Sequence, residues 1–404
     1  MNKVDANAIP EICIVGGAGH VGLPLGIAFA HCGVKTLIYD INETTLEAIG
    51  RGVVPFMEVG AEPLLKEALE SGMLVLSADP GEIAPVPIKV ITIGTPVDEF
   101  LNPVQHIVKD CIDALLPFIS DGQLLVLRST VYPGTTNWLE RYLLGKGRSI
   151  LIAFCPERVV QGRGIEELQQ FPQIVSGTTS RAEKLAGELF ERVAPEVVVL
   201  SPMEAEFAKL FSNAYRYIQF AAANQFSMIC NRAGLDYHRI LAGMKKNYPR
   251  ARDIPRAGFA AGPCLFKDTM QLAAFADNQF TLGHTAMMVN EGMVLYLLDE
   301  IAVKYPLEYM TVGLLGMAFK PDNDDIRSSL SYKMKKALAF RTKRVLTTDP
   351  HVTVDPGLLP LDEVIEQSDL LVLCVPHSAY RHLNLKGKPV VDISGFLSNG
   401  ELAA

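Results

Sequence analysis

The sequence predicts an α/β fold: two Rossmann-like, doubly wound parallel-sheet domains joined by a central helical domain with one long helix. Three observations predict it. Strand-sized β-branched runs alternate with helical stretches up to residue 200, and again from residue 311. Such alternation builds βαβ units around a parallel sheet. The block between them reads as helices and loops, and a glycine-rich turn joins the first strand to the first helix. The expected domain boundaries are 1–200, 201–303 and 304–404.

Residues 12–16 (ICIVG) are a short β-branched run ending in glycine, 23–32 a helix, and 35–40 (KTLIYD) a second strand. Further strand-sized runs lie at 88–94, 123–128, 150–154 and 196–200, with helical stretches at 62–71, 107–118 and 181–192 between them. From 202 to 232 the chain reads as one long helix. Pro202 suits its first turn, Glu204 and Glu206 its positive end, and Gly234 its stop. Helices are expected at 268–277 and 285–303, after a loop at 245–263 rich in Arg, Pro and Gly. Strand and helix then alternate again: strands at 311–317, 344–349, 370–376 and 389–394, and a helix at 329–340. The two end units are expected to be structurally alike.

With 404 residues, 49% apolar and 20% charged, the chain is long enough to bury several cores, and its composition excludes disorder, collagen and coiled coil. Its net charge of −8, from 37 basic and 45 acidic residues, argues against nucleic acid or an anionic membrane as partner. An anionic ligand must therefore be caught locally, by glycine loops and placed Arg and Lys. Seven scattered cysteines without metal-ligand spacing argue against a disulfide framework and a metal site, and for a reducing, cytoplasmic location. The uncharged stretch Ile12–Val34 imitates a signal peptide. Its glycines, His20 and Pro24 interrupt it, and Glu11 stands directly before it. No segment reads as long and apolar enough to span a bilayer.

Gly17, Gly19 and Gly22 fit GxGxxG between a strand and a helix, with His20 and Val21 inside the motif. The glycines suit a tight turn, a close approach to a pyrophosphate and close helix packing, and the helix N-terminus attracts phosphate. Asp40 ends the next strand, where a carboxylate accepts from an adenosine ribose and repels a 2′-phosphate, so NAD is expected over NADP. The bland alternative is an ordinary βα turn.

Cys264 follows a glycine-rich loop and precedes a helix, with Lys267 and Asp268 one turn on. A helix N-terminus raises the thiolate fraction; the alternative is a buried structural cysteine. On the long helix Lys209 and Asn213 share a face, with Arg216 seven residues after Lys209. That stripe either points to solvent or lines a cleft. Ser129-Thr130 and Pro156-Glu157-Arg158 follow strands, at the edge where open α/β sheets bind ligands.

These pieces resemble the nucleotide-sugar 6-dehydrogenases of the UDP-glucose/GDP-mannose dehydrogenase family. GAGHVGLPLG at 17–26, VPFMEVGAEPLL at 54–65, RSTVYPGTT at 128–136, CPERV at 155–159, GPCLFKD at 262–268 and GMAFKPDNDDIRSS at 316–329 follow in family order over nearly the whole chain. The resemblance implies an NAD-binding first domain, a catalytic cysteine in the middle and a UDP-sugar-binding last domain. It implies a four-electron oxidation of a UDP-sugar's C6 hydroxyl to the uronic acid, through a thiohemiacetal and a thioester on Cys264. Lys209 and Asn213 would stabilise the oxyanion. Asp268, with Thr130 and a water, would handle protons, and Glu157 would assist thioester hydrolysis. Lys320 would contact substrate, as would Glu157, Arg158, Lys209, Asn213, Arg256 and Gly262. Thr95, Thr130, Lys267 and Arg327 would join the glycine loop and Asp40 at the cofactor.

Two departures bear on the sugar. The glucose-type enzymes carry a second Glu where this chain has Gln161, and Pro-Glu-Arg-Val resembles the N-acetylhexosamine branch. The Lys267-Asp268 pair instead keeps the glucose pattern, so UDP-N-acetylmannosamine, UDP-N-acetylglucosamine and UDP-glucose all stay open. The loop 245–256 holds Lys245, Lys246, Arg250, Arg252 and Arg256, which suit a UDP diphosphate in the chain's own or a partner's site, or form a solvated basic loop. Phe211, Ile218, Ala222 and Phe226 on the long helix suggest a homodimer. The rivals are a two-electron hydroxyacid-type dehydrogenase and a catalytically dead nucleotide-binding protein. Two, one or no NADH per substrate separates the three.

Overall fold

The computed structural model describes residues 8–98, 104 and 106–397. The chain forms two compact units, Met1–Phe211 and Ser212–Ala404, divided within the long helix Pro202–Arg232. Among the described residues no helix is long and apolar enough to cross a membrane.

Among the described residues the first unit is built on eight strands: β1 (Ile12–Val15), β2 (Thr36–Tyr39), β3 (Leu74–Ser77), β4 (Ile88–Ile91), β5 (Leu124–Leu127), β6 (Leu151–Phe154), β7 (Gln173–Gly177) and β8 (Val197–Val199). Their order is β3-β2-β1-β4-β5-β6-β7-β8. β1 to β6 are parallel in the doubly wound order. Side chains alternate between two cores: Ile12 and Ile14 pack on one face, Cys13 and Val15 on the other.

The all-parallel expectation needs correction at the end of this sheet. β7 runs antiparallel to β6, and β8 is parallel to β7. β3 and β7 also fall outside the runs that read as strands. β3 is an edge strand, half-exposed over most of its length. β7 opens on Gln173 and contains Ser176, both buried by hydrogen bonding rather than by apolar packing.

In the second unit the long helix stops at Gly234, which takes φ 67° while Leu235 N–H bonds Cys230 O at 2.8 Å. The next helices are Tyr237–Lys245, Leu265–Phe275 and Thr281–Lys304. Two of them begin three or four residues before the expected 268 and 285, so the helix after the glycine-rich loop starts at the cysteine itself. Strands β9 (Thr311–Leu315), β10 (Arg344–Thr348), β11 (Leu370–Leu373) and β12 (Val390–Asp392) form a parallel sheet ordered β10-β9-β11-β12. Met293, Val294, Leu298 and Ile301 of the helix Thr281–Lys304 share one core with Val312, Leu314, Leu370 and Val372.

The expected likeness of the two α/β units holds in detail. After β1, Gly16 takes φ 72° and bonds Tyr39 O at 2.9 Å; after β9, Gly316 takes φ 91° and bonds Thr348 O at 3.0 Å. Two residues later Ala18 N–H bonds Asp40 Oδ2 at 3.0 Å, and Ala318 N–H bonds Asp349 Oδ2 at 2.9 Å.

Candidate active site

In the first unit the glycine loop divides its labour differently from the motif's usual reading. The left-handed turn falls on Gly16, not on Gly17. Gly17 is needed for space, since a Cβ there would lie 2.6 Å from Ile14 O. At Gly22 a Cβ would lie 2.5 Å from the Gly17 Cα, so helix and loop touch through bare backbone. At Gly19 the nearest atom would be 3.7 Å away, leaving room over that backbone. The helix Gly22–His31 begins after Val21 with no side-chain cap, and the Leu23 N–H bonds back to Gly19 O at 3.0 Å, which sets the loop's backbone against the positive end of the helix. These residues fit a dinucleotide pyrophosphate.

Asp40 accepts from Ala18 N–H at 3.0 Å and Asn42 N–H at 3.0 Å. A carboxylate has about four acceptor positions, so roughly two remain for a ribose diol. The His20 ring packs at a tilt of 38° on Phe56, with centroids 4.1 Å apart, and its Nδ1 lies 3.0 Å from Gln161 Nε2. Gln161, the departure from the glucose pattern, thus anchors a glycine-loop side chain. Thr95 Oγ1 donates to Thr130 O at 2.6 Å, tying together the segments after β4 and β5.

Glu157 is held by a residue that sequence reasoning passes over. Arg128 is fully buried, and its Nε and Nη2 donate to Glu157 Oε2 at 3.0 and 2.6 Å. Glu157 Oε1 accepts from the N–H groups of Arg158 at 2.8 Å and Val159 at 2.9 Å. Four donors fill the carboxylate, which leaves no lone pair for a water without breaking a bond. The Arg158 guanidinium is exposed and donates to Pro172 O. Glu206 also departs from expectation. Instead of serving its own helix end, it is buried and accepts from Gly134 N–H, Thr136 N–H and Thr136 Oγ1 at 2.5–2.8 Å, at the start of the helix Thr135–Gly145. Burial raises its pKa against those bonds.

The polar stripe on the long helix divides. Lys209 and Asn213 are buried, whereas Arg216 is exposed.

In the second unit Cys264 is the N-cap of the helix Leu265–Phe275 and is exposed. Burial pushes Cys13, Cys155 and Cys374 up to about 12 and Cys111 up to about 11, so these thiols stay protonated. Arg327 is held by Asp325 at 2.6 Å and also interacts electrostatically with Cys264. The helix end and this guanidinium both favour negative charge on the sulfur. Arg327, expected at the cofactor, therefore also bears on the thiol.

Asp268 is fully buried; its Oδ2 accepts from Asn213 Nδ2 at 2.5 Å. Its Oδ1 lies 3.3 Å from Lys267 Nζ, near enough for an ion pair but not aligned as a hydrogen bond, and accepts no hydrogen bond among the described residues. That atom is a buried acceptor open to a proton or a water. Gly262 has φ 106°, and a Cβ there would lie 2.5 Å from the Phe319 ring, so it seats the cysteine loop on the segment after β9. Lys320 Nζ lies 5.8 Å from that ring's centre. Arg256 Nη1 donates to Ser394 O and Gly395 O at 3.3 and 3.1 Å, while Lys246, Arg250 and Arg252 are exposed. The structure thus joins Cys264, Arg327, Asn213, Asp268 and Lys267 within one unit, and the glycine loop, Asp40, Thr95, Thr130 and Glu157 within the other.

Three family models match along the chain: the UDP-glucose/GDP-mannose dehydrogenase NAD binding domain over residues 10–194, the central domain over 203–292 and the UDP binding domain over 313–399. The chain is similar to a UDP-N-acetyl-D-mannosamine dehydrogenase of Yersinia pestis, 27% identical over 95% of this chain and 99% of that protein. It is also similar to an NDP-N-acetyl-D-galactosaminuronic acid dehydrogenase of Ralstonia solanacearum, 28% identical over 96% of each. Among solved structures, a UDP-D-ManNAc dehydrogenase of Pyrococcus horikoshii superposes with a TM-score of 0.88, 26% identical over 95% of both chains.

Proposed function

The chain belongs to the UDP-glucose/GDP-mannose dehydrogenase family, and from that premise we propose that it oxidises the C6 hydroxyl of a UDP-N-acetylhexosamine to the uronic acid through a thioester on Cys264. The first unit is the family's NAD binding domain, and NAD when bound supplies the hydride acceptor, twice per sugar. The relatives' names support an N-acetylhexosamine as substrate, with UDP-N-acetylmannosamine first. The observation that carries the reading is Cys264, an exposed thiol at a helix start beside Arg327 and on the same helix as the buried acceptor Asp268.

The first oxidation leaves the sugar as a C6 aldehyde. The Cys264 thiolate adds to that carbon, and the aldehyde oxygen becomes an alkoxide that takes a proton to give the thiohemiacetal. Asn213 Nδ2 and the Lys209 ammonium are the donors assigned to that oxygen. Loss of the C6 hydride and the hydroxyl proton gives the thioester. Water then adds to it, the carboxylate leaves and the thiol is restored. Asp268 Oδ1 is the atom assigned to hold and return these protons. Lys320 is assigned to the anionic substrate and Asp40 to the adenosine ribose.

Two further parts belong to the reading. Of the expected stripe, Phe211 and Phe226 are exposed along one side of the long helix with Tyr215 and Ile229, while Ile218 packs inward against Tyr217 and Ala221; the exposed apolar side supports a C2 homodimer. Seven free cysteines support a cytoplasmic location. The test is a panel of UDP-N-acetylmannosamine, UDP-N-acetylglucosamine, UDP-N-acetylgalactosamine and UDP-glucose, counting NADH per sugar consumed. Two NADH with an N-acetylhexosamine is the expected result. One NADH with any sugar removes the thioester, and turnover confined to UDP-glucose removes the substrate assignment.

A further inference from the structure

The two α/β units place a carboxylate at the same point, yet use it differently. Asp40 carries two hydrogen bonds. Asp349 is fully engaged: Oδ2 accepts from Met317 N–H at 2.6 Å, Ala318 N–H at 2.9 Å and His377 Nε2 at 3.0 Å, and Oδ1 from His351 N–H at 2.8 Å and Val352 N–H at 3.1 Å. No acceptor position remains for a ribose. Burial pushes Asp349 up, but the His377 bond and the backbone donors outweigh it and hold it down at about 2.

His377 is fully buried, and both its nitrogens are committed. Asp322 N–H donates to Nδ1 at 3.0 Å, which fixes the proton on Nε2, facing Asp349. Asp322 Oδ1 in turn accepts from Ser378 N–H and Oγ, both at 2.8 Å. Asp322, His351 and His377 bring ligand atoms within 4.8 Å of one another, but with both His377 nitrogens engaged the group is a hydrogen-bonded clamp and not a cation site. The clamp closes on one loop. Asp349 holds its start at Met317 and Ala318, and His377 holds its end at Asp322. Between them stand Phe319, packed on Gly262, and Lys320.

We propose that Asp349 and His377 are positioning residues for the UDP-sugar: they fix both ends of the loop 317–322, so that Lys320 is presented from a rigid backbone. The proposal rests on the reading of Lys320 as a substrate contact. A lysine on a loose loop would lose affinity to ordering entropy without losing its charge.

The test measures binding of UDP itself by calorimetry, with Lys320→Met as the reference arm. His377→Met removes both bonds at similar volume and should weaken UDP about tenfold, as Lys320→Met does, while NAD affinity stays within about twofold. His377→Gln, whose amide can still donate to Asp349, should recover part of the loss. Asp322→Gly suits φ 50°, removes the exposed side chain's bonds to Ser378 and its 3.8 Å approach to His351 Nε2, and should weaken UDP by about threefold. Hydrogen exchange on the unmodified protein should show the amides of Met317, Ala318 and Asp322 protected. Exchange there at exposed-loop rates overturns the clamp, whatever the variants do. Wild-type UDP affinity in His377→Met beside a weakened Lys320→Met overturns the inference and leaves the Lys320 reading standing. Unchanged affinity in Lys320→Met removes that reading and this inference with it. If His377→Met does not fold, exchange and Asp322→Gly decide.

Discussion

Alkylation with iodoacetamide at pH 7.5 should modify one thiol per chain, Cys264, and abolish oxidation in step with the label. The structure sets the selectivity. Cys13, Cys155 and Cys374 sit near pKa 12, so at pH 7.5 only about 0.003% of each is thiolate, against roughly 10% for a thiol near 8.5. That is about a 3000-fold difference in reactive species. The higher pKa makes each thiolate intrinsically more nucleophilic, returning roughly 40-fold, so some 70-fold remains from charge alone. Burial adds to it, because Cys13 and Cys155 are fully covered, Cys374 nearly so, and Cys230 is buried against the helix Tyr237–Lys245 and its neighbours. Cys32 and Cys111 are half-exposed, but burial raises both of their pKa values as well, Cys111 to about 11. The assay is peptide mapping by mass spectrometry against residual NADH production, with UDP as protectant. Labelling of the Cys32 or Cys111 peptide at the Cys264 rate would refute the electrostatic argument. Full activity in protein labelled stoichiometrically at Cys264 would refute its role as nucleophile.

Three further outcomes follow from the geometry. Asp40→Ser should narrow the preference for NAD over NADP, measured as a ratio of kcat/KM; equal values for both cofactors in the unmodified protein would mean that Asp40 does not read the ribose. Gly22→Ala drives a Cβ to 2.5 Å from backbone and should lower Tm, whereas Gly19→Ala, with 3.7 Å of clearance, should fold normally and lose only NAD affinity; equal Tm losses would contradict that division. Lys89 is buried and its pKa falls from 10.5 to about 8, so between those values the unfolded chain binds more protons and stability from this group rises with pH. Against Lys89→Met, in which the ionisation of other groups cancels, the unmodified protein should gain up to about 3 kcal/mol between pH 8 and pH 10.5 in urea unfolding, and a pH-independent difference would show that the ammonium is not desolvated.

Much of the candidate site was legible because its demands fall on short contiguous segments. A pyrophosphate loop needs glycines at fixed intervals, and a reactive thiol at a helix start needs its partners one turn on. Cys264, Lys267 and Asp268 therefore declare themselves as candidates by spacing, and the family resemblance supplies the roles expected of them. So did the likeness of the end units, because β1–β2 and β9–β10 share one apolar pattern and one terminal aspartate. What spacing cannot show is a pair formed across elements. Glu206 reads as a helix-end charge, but its partners lie 70 and 72 residues away, at Thr136 and Gly134. Gln161 reads as a departure from a motif, and only the fold brings it to His20, 141 residues distant. Gln173 lies outside the runs that read as strands, yet it is buried because Arg128, 45 residues earlier, needs an acceptor. The same limit hid the antiparallel strand β7 and the Asp349–His377 clamp. In each case a polar side chain is buried by a partner whose identity the local sequence does not carry, and tertiary hydrogen bonding takes the place that apolar periodicity holds elsewhere. Buried polar pairs of this kind are where this chain departs from its own patterning, and two of them, Arg128–Glu157 and Asp349–His377, adjoin the segments assigned to chemistry and to substrate.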